Sequence, residues 1–307
     1  MGMSMRSLAG VGCAVLILLA AGGAAAQIEG QLSAYTGANA EGYLQPLADA
    51  IGTNLNGGLF HSAHIPTEDG LHISLETRAI VVLFGDDDKT FKATTESYFE
   101  PVTTLNAPTV VGSGEAAVVT NGTTGAEFAF PGGFSLGSFA IAVPQLRIGT
   151  YRGTEALIRY FAIDTGDAEI GDLSLVGFGL RHSISQYMTP FFPLDLSGGF
   201  FWQSFDLGED LISTNAFTIG AQVSKRFPAG FITLEPYGGL SWDMFSMDVS
   251  YEYESEDDIE EITLDFESTS TPRMTMGVNL AAPIVNLNVE YSIASQNSFS
   301  FGLGLGF

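Results

Sequence analysis

The chain has 307 residues, of which 46% are hydrophobic, 37 are Gly and only 15% carry charge. Soluble domains carry roughly 25% charged residues, so a chain this poor in charge must bury much apolar surface or show it to lipid. Its 35 acidic residues against 11 basic ones give a formal net charge of −24, which excludes nucleic acid as a natural partner.

Residues 1–26 read as a secretory signal peptide. Arg6 supplies the positive start, an apolar stretch runs from Leu8 to Ala21, and Ala24, Ala25 and Ala26 provide small residues for a cut before Gln27. The single cysteine, Cys13, lies inside this stretch, so the exported chain is expected to have no disulfide. Residues 27–57 form the next unit, a helical plug or leader. Tyr43, Leu44, Leu47, Ala48 and Ile51 share one helical face, Gly57 and Gly58 mark the stop, and Pro46 sits in the first turn or kinks the helix. The helix either plugs the lumen of the unit that follows or rests at its mouth; a loosely ordered leader is the alternative.

Residues 58–307 read as a β-barrel. The first clear strand covers residues 71–84, with Leu71, Ile73, Leu75, Ala79, Val81 and Leu83 on one face and His72, Ser74, Glu76 and Arg78 on the other. Residues 85–138 are rich in Thr, Gly, Ala and Pro. They hold short strand candidates at 91–94, 116–120 and 126–130, or form a long loop folded into or over the barrel. Beyond them alternation returns: Ile158 and Tyr160 oppose Glu155 and Arg159, and Val176, Phe178, Leu180 and Ile184 oppose Gly177, Gly179, Arg181 and Ser183. Phe217, Ile219, Ala221 and Val223 oppose polar or glycine neighbours. In residues 232–253 the apolar parity passes from Ile232, Leu234, Leu240 and Trp242 to Val249, Tyr251 and Tyr253, which predicts a bulge near Met244 and Phe245. The last three strands alternate strictly, ending in Phe299, Phe301, Leu303, Leu305 and Phe307.

A soluble β-sandwich also alternates. Here the opposed face is small and polar, aromatic residues recur near strand ends, and several strands reach the ~9–11 residues that cross a bilayer at a tilt. The longest apolar run after the leader, residues 79–84, is far short of the ~20 residues of a spanning helix, and a closed barrel is the other structure that satisfies every backbone group in lipid. Tight turns at 150–153, 188–193, 227–230 and 282–283 alternate with longer acidic links at 164–171, 206–213 and 252–260, the rhythm of short periplasmic turns and longer outer loops, with Gln296 and Asn297 a tight turn on the outer side. The expected fold is all-β: a transmembrane antiparallel up-and-down barrel of about 12 strands, within a range of 10–14, with a short N-terminal helix. Ten strands read firmly.

His72, Glu76, Arg78, Arg147, Glu155, Arg159, Arg181, Arg273 and Glu290 fall on inward parity. Charges inside a narrow barrel should pair. They form either a salt-bridged wall or a set in which some arginines hold an anionic headgroup. Phe91, Phe99, Phe128, Phe130, Phe134 and Phe139 either line an apolar pocket or pack the 85–138 segment against the wall. His61 and His64 lack a regularly spaced third metal ligand, His182 falls on lipid parity, and nucleophile-elbow, zinc-protease and phosphate-loop motifs are absent. No catalytic role, no metal site and no cofactor is expected. The one exception is Ca²⁺ or Mg²⁺ at the acidic outer loops, of which residues 252–261 carry seven acids.

The helix containing Gly42-Tyr43-Leu44-Gln45-Pro46-Leu47, the Thr/Gly/Pro-rich middle, Pro144-Gln145, Gly153-Thr154-Glu155 and Arg159-Tyr160 follow an order that resembles a family of uncharacterised outer-membrane proteins. That family is distantly similar to FadL-type long-chain fatty-acid transporters. The Asn-Pro-Ala start of those transporters is absent, so their hatch is not carried over. The resemblance implies binding or passage of a small hydrophobic molecule across the Gram-negative outer membrane; a structural or adhesive barrel is the alternative. Expected partners are outer-membrane lipid, surface glycolipid and the barrel assembly machinery, which would read the C-terminal strand.

Overall fold

A computed structural model describes residue 35 and residues 37–306 apart from 69, 96–98, 165–171, 189–191, 209–210 and 255–258; the side chains of 251–254, 259–261 and 267–269 are also outside the description. The expected signal peptide and Phe307 therefore lie outside the described residues.

Ten strands close into one antiparallel barrel: β1 (His72–Leu83), β6 (Ser138–Tyr151), β7 (Thr154–Asp164), β8 (Asp172–Ser183), β9 (Asp195–Leu207), β10 (Ile212–Ser224), β12 (Ile232–Glu254), β13 (Ile259–Ala281), β14 (Val285–Ile293) and β15 (Ser298–Gly306). Each pairs with its chain neighbour except that β1 spans the gap between β6 and β15, and the β10–β12 ladder completes the ring. A short piece, β11 (Phe227–Ala229), continues the β10 side against the start of β12. The ten firm strands of the sequence reading are thus the wall. Two hairpins supply the rest: β2 (Thr90–Thr94) with β3 (Thr104–Pro108), and β4 (Ala117–Thr120) with β5 (Glu127–Phe130).

Alternation places the predicted faces. Leu75, Phe178, Leu240, Trp242, Leu287, Phe301 and Leu303 are exposed on the outside, while Glu76, Arg78, Arg159, Arg181, Arg273 and Glu290 are buried within. On β12 the outward apolar set runs from Ile232 to Met244. At ~3.4 Å per residue and a tilt near 40° that is about 30 Å of height, the thickness of a bilayer core. The two-residue β6–β7 turn and the three-residue β13–β14 turn lie at one end of the barrel, the turn end, and the 84–137 segment lies at the opposite, loop end.

β12 and β13 are each 23 residues long, about twice what a crossing requires, so they rise past the membrane at the loop end. Here the expectation of a parity switch within β12 is corrected. Glu235, Tyr237, Asp243, Phe245, Met247 and Val249 are all buried, so one parity faces inward throughout. What changes is the neighbour: polar lumen below, an apolar interior above. The irregularity does fall between Asp243 and Phe245, but Asp243 pairs with Thr271 and Phe245 with Ser268, so the extra residue is in β13. Accordingly the buried set of β13 moves from Arg273, Thr275 and Asn279 to Leu264 and Phe266.

Helix α1 (Gly37–Asn56) stands inside the barrel. Tyr43, Leu44, Ala48, Ile51 and Leu55 are buried, and contacts to β1, β6, β10, β12 and β13 enclose it. Pro46 sits in its interior rather than its first turn. Gly58, with φ +62°, ends it in the left-handed conformation that favours glycine. Residues 85–138 fold over the loop end of the barrel as a cap on α1: Val110 donates its backbone N–H to the Tyr43 carbonyl at 2.9 Å, and the Tyr43 hydroxyl donates to the Gly132 carbonyl at 3.0 Å. Tyr35, Leu47, Ala93, Val111, Phe130, Ile141, Leu175, Phe205 and Met247 share one apolar core there.

Candidate functional site: a lumen closed by its own chain

The lumen is occupied by residues 37–70, a plug running from the cap down to the turn end. A helix leaves its last carbonyl groups without internal partners and carries partial negative charge there. The wall answers with donors. Arg273 Nη2 donates to the Thr53 carbonyl at 3.0 Å, and Arg159 donates through Nη1 to Leu55 and through Nη2 to Gly57, both at 2.9 Å. Gln203 also donates to the Leu55 carbonyl, and Gly57 N–H to that of Asn54. Below the helix the same pattern continues along an irregular segment. Gln145 reaches Leu59, Gln222 reaches Phe60, Arg181 reaches Ser62, and Thr150 reaches Glu68, each at the backbone carbonyl. In this way wall side chains satisfy backbone groups that a non-helical chain would otherwise bury unpaired.

The predicted charged residues are mostly brought together. Glu76, Arg147, Glu155 and Arg181 form a continuous chain of ion pairs across four strands, with Arg147–Glu155 at 3.8 Å and Arg181–Glu155 at 2.5 Å. Arg273 pairs with Asp243 at 2.7 Å. Arg78 donates to Asn288 across Gly302, where a Cβ would collide with both side chains. Glu290 accepts from the Tyr237 hydroxyl at 2.9 Å. His72 is apart from the rest: it is exposed at the turn end rather than enclosed in the lumen.

Sequence reasoning missed Glu235 and Asp243. Both share inward parity with Tyr237 once Ile232 and Trp242 are assigned to lipid, so the signal was present. Glu235 accepts from Ser62 at 2.6 Å and from Ser224 at 2.5 Å. His61 lies between Glu76, Arg147 and Asn286, whereas His64 pairs with Asp195 at 3.1 Å near the turn end. Among the described residues no three His, Cys, Asp or Glu side chains are grouped to hold a metal ion. Phe128 and Phe130 pack with ring centroids 4.9 Å apart, and Phe99 packs on Phe128 at 5.8 Å, so this aromatic group fills the cap.

An apolar outer belt, a closed antiparallel wall and a polar interior define an outer-membrane-type β-barrel whose lumen is closed by its own N-terminal segment. The chain belongs to a family of unknown function (DUF6588), matched over residues 5–307. No curated protein matches the sequence. Among solved structures, the outer-membrane protease OmpT from Escherichia coli is similar at 8% identity and TM-score 0.33, over 80% of this chain and 98% of that one. Neisserial surface protein A is similar at 12% identity and TM-score 0.23, over 78% and 98%. A FadL homologue from Pseudomonas aeruginosa is similar at 10% identity and TM-score 0.22, over 82% and 95%.

Proposed function

We propose that this protein binds and passes a small molecule across the outer membrane of a Gram-negative bacterium, after export through a cleaved leader, and that residues 37–70 are a plug in its closed state. The observation that carries this reading is how the plug is held. Arginine and glutamine side chains grip its backbone carbonyls, and hydrogen bonds of this kind exchange with water one at a time. A barrel that served only as a wall could fill its lumen with strand side chains alone, as smaller barrels do. The recess beside the plug is lined by Arg181, Thr218, Gln222, Ser241 and Arg273 together with Leu59, Phe60 and Leu240, and its cationic groups favour a molecule with charged ends over the wholly hydrophobic one implied by the resemblance. The same reading takes Phe299, Phe301, Leu303 and Leu305 as the outward face read by the barrel assembly machinery. It also takes the acidic outer loops as a bridge through Ca²⁺ or Mg²⁺ to anionic surface glycolipid.

A disulfide lock tests the gate. The Thr53 and Ser295 hydroxyl oxygens are 3.0 Å apart, joining plug to wall, and no cysteine follows Cys13. The Thr53→Cys/Ser295→Cys protein should be silent in planar bilayers when oxidised and show openings and solute flux when reduced. Equal silence in both states, shared by Arg159→Leu, would leave a permanently shut structural barrel as the function.

A further inference from the structure

A recess of about 50 Å³ lies between residues 56–60 of the plug and the inner face of β9, β10 and β12. Its floor follows from strand register. Arg181 stands opposite Gly199, Gly199 opposite Gly220, Gly220 opposite Ser241, and Ser241 opposite Arg273. These five residues make one row across five neighbouring strands, with an arginine at each end and two bare glycines and a serine between. Four strand spacings of ~4.8 Å set the arginine backbones about 19 Å apart along the curved wall, so both side chains reach inward over a gap.

Each arginine is partly committed. Arg181 serves Glu155 and the Ser62 carbonyl, and Arg273 serves Asp243 and the Thr53 carbonyl. The remaining terminal nitrogens, Arg181 Nη2 and Arg273 Nη1, are buried and have no hydrogen-bond partner among the described residues. Their side chains are 2% and 4% exposed. Asn56 Oδ1 and Gln222 Oε1 are buried and unpartnered in the same sense, and all four residues line the recess. The acid that lines it, Glu290, is already engaged by Tyr237. The recess therefore offers a cationic donor at each end and neutral acceptors between them. Unmet guanidinium N–H groups are strong anion donors and costly to leave buried.

We propose that this recess binds a short linear molecule with a carboxylate at each end and hydroxyl donors between, that is, a dicarboxylate of the hydroxy-acid class. The terminal carboxylates take Arg181 Nη2 and Arg273 Nη1, and the hydroxyls donate to Asn56 and Gln222. The proposal deepens the passage reading by naming a substrate class. The site is complete in the closed barrel, so it is tested with the oxidised Thr53→Cys/Ser295→Cys protein, where failure to bind leaves the gating test untouched.

Isothermal titration of the detergent-purified full chain against tartrate, malate, succinate, lactate and inorganic phosphate reads the site. Tartrate and malate should bind saturably at one site per chain, and lactate, with one carboxylate, about tenfold or more weaker. Ser241→Leu fills the floor and keeps both arginines; it should abolish binding while far-UV dichroism stays unchanged. If that variant does not fold, Gln222→Leu removes one central acceptor and should weaken tartrate selectively over succinate. The proposal is overturned if no diacid binds saturably, if phosphate or lactate binds as tightly as tartrate, or if the folded floor variant binds like the parent.

Discussion

Arg159 has no carboxylate partner among the described residues. Its Nε donates to Gln145 at 3.0 Å, its two terminal nitrogens hold the Leu55 and Gly57 carbonyls, and its plane lies 5.5 Å from the Phe201 ring centre. A guanidinium suits this place because its planar fork spans two carbonyls at once. Replacing Arg159 by Leu would leave the Gly57 carbonyl and Gln145 Oε1 without this donor, at about 1–3 kcal/mol each, while the Leu55 carbonyl keeps Gln203. We expect Arg159→Leu to lower stability by about 3 kcal/mol or more in thermal unfolding in detergent, and Arg159→Lys to lose less. An unchanged melting temperature would mean that the plug carbonyls are not held as described. The sequence placed Arg159 on the inner face. It could not show that the partner is backbone, because a carbonyl leaves no mark in residue type.

Among the elements, β13 carries the consequence of its extra residue. The bulge between Ser268 and Thr271 lets one strand show polar residues to the lumen below and Leu264 and Phe266 to the cap core above. Since side chains alternate with period two, removing one residue flips every side chain on one side of the cut. Deleting Ser270 should turn Leu264 and Phe266 outward, loosen the cap and speed proteolysis within residues 85–138, with the lower barrel still inserted. Digestion at the parental rate would show that the outer half does not depend on this register. Helix α1 was legible from its single apolar face and its Gly57-Gly58 stop. That it is enclosed nearly all round was not, since Thr53, Asn54 and Asn56 carry no apolar signal and are nonetheless buried against the wall.

In the whole molecule charge is divided by position. Arg78, Arg147, Arg159, Arg181 and Arg273 are gathered in the lumen, while acids collect on the extensions beyond the membrane belt, where Asp248 stands directly opposite Asp265 on the outward face. Burial and the facing Asp265 carboxylate push the Asp248 pKa up from its ordinary value. Like charges opposite one another oppose strand pairing, and a divalent cation with oxygen ligands would offset the repulsion. We therefore expect Ca²⁺ to raise, and a chelator to lower, the melting temperature of the native protein, with Asp265→Asn reducing the response. A melting temperature indifferent to chelator would remove the cation bridge to surface glycolipid.

By itself the sequence determined the class of this protein and the inside and outside of its wall. Lipid selects every second side chain, so a period-two pattern with Leu, Val and Phe on one parity is a local record of the membrane, readable from Phe299 to Leu305 without any partner strand. Only the tertiary structure decided what fills the barrel. The same pattern fits an open, plugged or capped lumen, because filling depends on contacts between residues 86 to 220 positions apart, such as Gln145 with Leu59 and Arg273 with Thr53. Those contacts run from side chain to backbone, and register across five strands, not spacing along one, brings Arg181 and Arg273 to the ends of a single row.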